Sequence, residues 1–257
     1  MKVVILAGGR GTRIYEESQN KPKPMVEIGG MPILWHIMKT YSSYGFNDFV
    51  ICAGYKQEVI KNWFNDYFIN RNDVTYDYSN NKVVIENNKA EPWTVTIADT
   101  GLDTMTGGRI KKIKKYLNNE PFMVTYGDGV CDVDINKLVE FHKKNKKIAT
   151  LTAVKQTQDK GALDIAENNS VRSFREKNLN DGMLINAGYM VFEPEIFNYI
   201  KGDKTILEKD VLEKLAKEKQ LMSYTHNGFW QCMDNLREKE MLERLYEKNK
   251  APWKKWK

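Results

Sequence analysis

Leu6-Ala7-Gly8-Gly9-Arg10-Gly11-Thr12-Arg13, continued at Lys21-Pro22-Lys23-Pro24-Met25, is the stretch on which the reading of this 257-residue chain turns. It follows a short β-rich apolar run, Val3-Val4-Ile5, which reads as a buried strand closed by glycines. Gly8, Gly9 and Gly11 can take positive φ and let backbone N–H groups come close to a ligand. Successive N–H groups in such a turn make an anion-binding nest. Arg13 adds a planar fork for phosphate oxygens, and Lys23 adds a compact point charge. Pro22 and Pro24 fix φ on either side of Lys23. The position matters as well, because open α/β sheets bind ligands outside the carboxyl ends of their strands. Neither a Walker loop nor the G-x-G-x-x-G dinucleotide fingerprint is present. A glycine-rich turn with ordinary surface cations is the competing reading, and the bracketing by Arg13 and Lys23 counts against it.

Outward from the loop, Pro32 stands where a helix tolerates proline, and residues 33–41 keep a helical period. Residues 49–53 read as a second buried strand and 59–68 as a second helix. This βαβα opening predicts a parallel, doubly wound α/β sheet. Short strands are expected at 74–76, 82–85 and 93–98, a helix at 105–117, and a buried strand at 121–126 that ends in Gly127-Asp128-Gly129. A helix at 134–145 and a strand at 147–154 follow. The stretch 162–192 is strand-rich, with helices expected at 195–200 and 206–217, a strand at 221–225 and a last helix at 236–248. We expect one domain over 1–257, with a nucleotide-handling half at about 1–130 and a second half at about 131–257.

Composition narrows the class. Hydrophobic residues make up 41% and charged residues 29%, ordinary for a globular protein with a sizeable core. The net charge of +6 is interspersed rather than clustered, which argues against a nucleic-acid binder and leaves room for a small anionic ligand. Three widely spaced cysteines form neither a zinc pattern nor a disulfide framework, so a reducing cytoplasm is expected. The N-terminal apolar run is too short for a signal peptide or a membrane span.

Asp128, at the carboxyl end of a buried strand between two glycines, has room to hold Mg²⁺ or simply to make a turn. Asp234 reads equally as a metal ligand or as the N-cap of the last helix. Lys177, after Arg175-Glu176, could bind a second phosphate. Asn186 could bond hydroxyls, with Gly188 removing side-chain bulk; taken singly, each of these residues reads more readily as a solvated charge or a turn. His142, beside Lys143-Lys144, reads as surface, the basic end at 254–257 as a solvated tail, Cys232 as a buried thiol, and the aromatic run 63–68 as core. These parts suit nucleotidyl transfer to a sugar phosphate. The attacking phosphate monoester is already largely ionised at neutral pH, so no general base is needed.

The opening signature resembles that of the sugar-1-phosphate nucleotidylyltransferases. Blocks such as Glu91-Pro92-Trp93, Met105-Thr106-Gly107-Gly108-Arg109, Thr125-Tyr126-Gly127-Asp128-Gly129 and Gly161-Ala162-Leu163-Asp164-Ile165 extend the likeness over nearly the whole chain, toward the branch that uses CTP. The resemblance implies a Rossmann-like mixed sheet of the nucleotide-diphospho-sugar transferase type, with a smaller strand-rich portion for the sugar and for oligomerisation. It implies that Leu6, Ala7, Gly8, Gly9, Arg10, Gly11, Thr12, Arg13, Lys23, Thr104 and Arg109 hold CTP. It further implies that Asp128 and Asp234 hold Mg²⁺, and that Glu176, Lys177, Asn186 and Gly188, with Tyr126, receive glucose 1-phosphate. Arg13, Lys23 and Asp128 would be catalytic, and the protein a homo-oligomer without nucleic-acid or membrane partners. Three positions depart from the usual pattern, Lys160, Asn178 and Cys232, and the first two leave a cytidylyltransferase, or a relative using UTP or dTTP, with a different phosphorylated acceptor as the nearest alternative. A non-catalytic nucleotide-sugar-binding subunit is the alternative from another class.

Overall fold

A computed structural model describes residues 1–11, 14–87, 90–156, 162–165, 170–175 and 183–256. Its centre is a seven-stranded sheet in which Val3–Ala7 is flanked by Phe122–Tyr126 and Asp48–Ala53. Thr94–Asp99 extends the sheet on one side, and Met183–Phe192, Ala149–Gln156 and Leu221–His226 extend it on the other. Met183–Phe192 runs antiparallel to both of its neighbours, while every other pairing in this sheet is parallel. The expected doubly wound mixed sheet is therefore present.

The alternation of a strand explains why Val3-Val4-Ile5-Leu6-Ala7 must be apolar throughout. Val3, Ile5 and Ala7 join the core on one face, with the helix Ile33–Ser42. Val4 and Leu6 join the core on the other face, with Ile110 and Leu207. A parallel strand covered on both sides has no polar face. Among the described residues no helix is long and apolar enough to cross a membrane.

A small antiparallel ribbon does most to shape the site. Gly129–Cys131 pairs with Trp230–Cys232, and the Met233 N–H continues the ladder to the Asp128 carbonyl at 2.8 Å. This draws residues 128 and 234 to the same end of the sheet. A separate hairpin, Asp73–Asp77 with Lys82–Glu86, exposes Tyr76, Tyr78, Val83 and Val84.

Several local expectations need correction. The helix expected at 105–117 is Thr106–Lys112 followed by a 3₁₀ turn at Lys114–Tyr116. The helix expected at 206–217 begins as a π-helical segment, Leu207–Leu212, before the α-helix Glu213–Lys217. His142 is buried rather than on the surface, because it shares a helical face with Ile135, Leu138 and Val139. Its Nδ1 lies 2.9 Å from Thr150 Oγ1. Of the basic end, the described part is held rather than free: Trp256 packs edge-on against Trp35, next to the fully buried Trp253. In the helix Gln57–Asn70 only Ile60 is fully buried, and Phe68 is exposed, so its aromatic face belongs to the margin of the core.

Candidate active site

The first strand delivers the chain into a cavity of about 390 Å³ lined by Leu6, Ala7, Gly8, Gly9, Gly11, Lys23, Thr104, Arg109, Tyr126 and Asp128. Gly8 sits on top of Arg109: a Cβ there would meet the guanidinium at 2.0 Å. Arg109 is itself buried. It donates to the carbonyls of Gly8, Ala53, Gly101 and Leu102 and, at 2.7 Å, to Thr100 Oγ1. The side chain thus pins three backbone segments together beneath the cavity. Arg10 is exposed and pairs with Asp103 at 3.2 Å. Thr104 is buried and accepts from Lys112 Nζ at 3.2 Å.

Lys23 opens a single 3₁₀ turn, Lys23–Met25, with Pro22 as its cap and Pro24 inside it. The prolines hold the turn, and the buried ammonium points at two carboxylates. Nζ lies 2.6 Å from Asp128 Oδ2 and 2.6 Å from Asp234 Oδ1. Burial alone would drag the Lys23 pKa down, but the charges and hydrogen bonds of Asp128 and Asp234 outweigh it and hold it above its usual value. Two carboxylate oxygens converging on one cation form a hard, all-oxygen donor pair, which suits Mg²⁺. Asp234 does not cap the last helix. Asn235 does, accepting from the Glu238 N–H at 3.0 Å, while the Glu238 side chain closes a capping box. The Asp234 carboxylate is thereby left for Lys23.

A second cavity of about 320 Å³ adjoins the first, with Tyr126 and Asp128 as shared walls. Its other walls include Asp234, Ala187, Trp230, Cys232 and Glu208. Gly188 has φ +80°, and a Cβ there would meet the Tyr126 ring at 2.3 Å. The missing side chain at 188 therefore makes room for Tyr126. Asn186 Oδ1 accepts the Gly188 N–H at 2.9 Å and holds this bend. Cys232 is half-buried, not fully buried, and its thiol lies 3.4 Å from Asp234 Oδ2. Burial and the neighbouring Asp234 and Glu238 push the thiol up to about 12, so it stays protonated.

Thr12, Arg13, Glu176 and Lys177 lie outside the described residues, as do Lys160 and Asn178. The structure gathers Leu6, Ala7, Gly8, Gly9, Gly11, Lys23, Thr104, Arg109, Tyr126, Asp128 and Asp234 around the two cavities, whereas Asn186 and Gly188 line neither and stand behind Tyr126, and Arg10 turns to Asp103. Trp230 and Glu208 were not anticipated. An aromatic residue close to Asp234 was a usable signal for the first. Glu208 sits among lysines and acids in a helical stretch and carried none.

The nucleotidyl transferase family model matches residues 2–234. A glucose-1-phosphate cytidylyltransferase of Salmonella typhi is 52% identical over 257 residues, covering all of both chains. A probable glucose-1-phosphate cytidylyltransferase of Bacillus subtilis (strain 168) is 39% identical, also over the full length of both. Among solved structures, HddC from Yersinia pseudotuberculosis complexed with GMP-PN superimposes with a TM-score of 0.69 at 24% identity, over 95% of this chain and 99% of that one; at that identity the likeness concerns the fold. A glycine loop behind the first strand, two acids brought together by a short ribbon, and a match that spans most of the chain lead to one conclusion: the chain belongs to the nucleotidyl transferase family.

Proposed function

We propose that this protein joins CTP to glucose 1-phosphate, releasing pyrophosphate and forming CDP-glucose. The observation that carries the reading is the pair of adjoining cavities meeting at Asp128 and Tyr126. One is walled by the glycine loop and suits a triphosphate; the other suits a small acceptor. The full-length similarity to glucose-1-phosphate cytidylyltransferases supports the base and the acceptor together.

A phosphate oxygen of glucose 1-phosphate forms a bond to the α-phosphorus of CTP. The bridging P–O bond on the far side breaks, and pyrophosphate departs with that electron pair. Because the attacking group is already ionised, the work left to the protein is alignment and neutralisation of charge. Backbone N–H groups at Gly8, Gly9 and Gly11 cradle the phosphates, and Arg109 keeps that loop in register from below. Lys23 places a fixed positive charge between the two subsites. Thr12 and Arg13 act on the nucleotide, and Glu176, Lys177, Asn186 and Gly188 on the acceptor. Asp128 and Asp234 would hold Mg²⁺, which when bound neutralises charge on phosphate oxygens. The protein would also act as a homo-oligomer.

A pyrophosphate-release assay crossing CTP, UTP, dTTP and GTP with a panel of sugar phosphates tests the reading. CTP with glucose 1-phosphate should give the highest kcat/KM. Equal or better turnover with UTP or dTTP would remove the cytidylyl assignment.

A further inference from the structure

Glu208 stands at the start of the π-helical segment Leu207–Leu212, and it walls the second cavity without being part of the glycine loop or the acid pair. π-Helical turns are rare and are found disproportionately at functional sites. Here the segment is anchored by the Leu207 N–H, which donates to Thr106 Oγ1 at 2.9 Å. The Glu208 carboxylate then receives two hydroxyl donors, Tyr126 O–H on Oε1 and, at 2.8 Å, Thr106 O–H on Oε2. Tyr126 and Thr106 both line the first cavity, so Glu208 touches the frame of one subsite while facing into the other.

An ionised carboxylate offers about four acceptor positions. Two are taken by Tyr126 and Thr106, and the residue is half-buried at the wall of the second cavity, which leaves acceptor capacity for a ligand there. Asp128 and Asp234 line the same cavity. Lys23 sits against Asp128 and Asp234, whereas the contacts of Glu208 are hydroxyl donors. The phosphate of an acceptor is accordingly drawn toward Lys23, and the neutral, hydroxyl-bearing body takes the Glu208 side. Hydroxyls donate and a carboxylate only accepts, so the chemistry is matched.

We propose, resting on the assignment of the second cavity to the acceptor, that Glu208 accepts a hydrogen bond from a ring hydroxyl of the sugar phosphate and so determines which sugar is used. A group that merely braced Tyr126 would treat every acceptor alike. A group that bonds one hydroxyl distinguishes the analogue that lacks it, because the carboxylate is then left short of a donor.

The test is a cycle between enzyme and ligand. Wild type, Glu208→Gln and Glu208→Asp are assayed with glucose 1-phosphate and with its singly deoxygenated analogues at each ring position and at C6. For wild type, one analogue should lose roughly 10- to 100-fold in kcat/KM. In Glu208→Gln that penalty should shrink to a few-fold, while the penalties for the other analogues stay as they were. The KM for CTP should remain within about twofold of wild type. Glu208→Asp, which keeps the charge but withdraws it by one methylene, should show the same selective change and serves if the glutamine variant folds poorly. If both variants lower kcat/KM by a common factor for all acceptors, Glu208 is a brace and the proposal is overturned. Failure of wild type to use glucose 1-phosphate would overturn the functional reading instead, and would be seen before any variant is compared.

Discussion

Lys23 and Asp234 are separated by 211 positions in the chain, yet the ammonium and the carboxylate meet at 2.6 Å, with Asp128 on the same nitrogen at the same distance. A cation closes an acid pair at the junction of the two cavities. Removing it leaves two carboxylates facing one another. Lys23→Met should lower stability in EDTA by about 1–3 kcal/mol and reduce kcat by two orders of magnitude or more. Added Mg²⁺ should raise the Tm of the variant more than that of wild type, since no ammonium competes for the acids. Thermal melts with and without Mg²⁺ provide the check, and equal Mg²⁺ shifts would count against the arrangement.

Neighbouring positions should separate cleanly. Asn235→Ala removes the cap of the last helix and should cost about 1 kcal/mol of stability with kcat within twofold of wild type. Asp234→Asn should do the reverse, keeping the fold and losing nearly all turnover. Urea unfolding beside steady-state kinetics tells the two apart. A large kcat loss in Asn235→Ala would mean that the cap, not Asp234, organises the site.

Arg109 acts from underneath. Arg109→Lys keeps a positive charge but gives up the fork that reaches four backbone carbonyls. The KM for CTP should rise about tenfold or more, with a lowered Tm, because buried carbonyls lose their donors. Gly8→Ala should raise the same KM by pushing the guanidinium aside. If neither variant changes it, Arg109 does not support the loop.

His36 predicts an acid limit. Its Nε2 lies 2.8 Å from the Ile28 carbonyl, and Trp253 Nε1 lies 3.4 Å from its Nδ1, an arrangement that suits the neutral ring. Burial lowers its pKa from 6.5 to about 4. Between those values the unfolded chain binds the proton more readily. The stabilising contribution is therefore complete above pH 6.5 and is lost as pH falls toward 4, by roughly 3 kcal/mol at the low end. Urea midpoints at pH 7.5 and pH 4.5 measure the loss. His36→Asn should be less stable at pH 7.5 and much less sensitive to the same drop in pH. A wild-type midpoint that does not fall would contradict this.

Much of the fold could be read along the chain, because burial on both faces of a parallel sheet leaves an unbroken apolar run such as 3–7 or 49–53. The carboxyl ends of those strands could be read as well, and with them the glycine loop and Asp128. Boundaries were less legible where the backbone changes helical type, as at 207–212. His142 was misread from its lysine neighbours, although its own spacing from Leu138 and Val139 places it inside. The Cys232 thiol, read as buried, is half-buried beside Asp234.

By itself the sequence determined the sheet, the position of the glycine-rich turn behind the first strand, and one acid at a strand end. All three depend on periodicity and on residues a few positions apart. Only the tertiary structure decided that Lys23 closes Asp128 and Asp234, that Asn235 rather than Asp234 caps the last helix, that Arg109 faces carbonyls beneath Gly8, and that Glu208 reaches Tyr126 and Thr106. Most of these contacts join residues that are distant in sequence, across an order of strands and a two-stranded ribbon. The physical reason is that local pattern records which face of an element is buried, whereas strand order and pairing decide what that face meets.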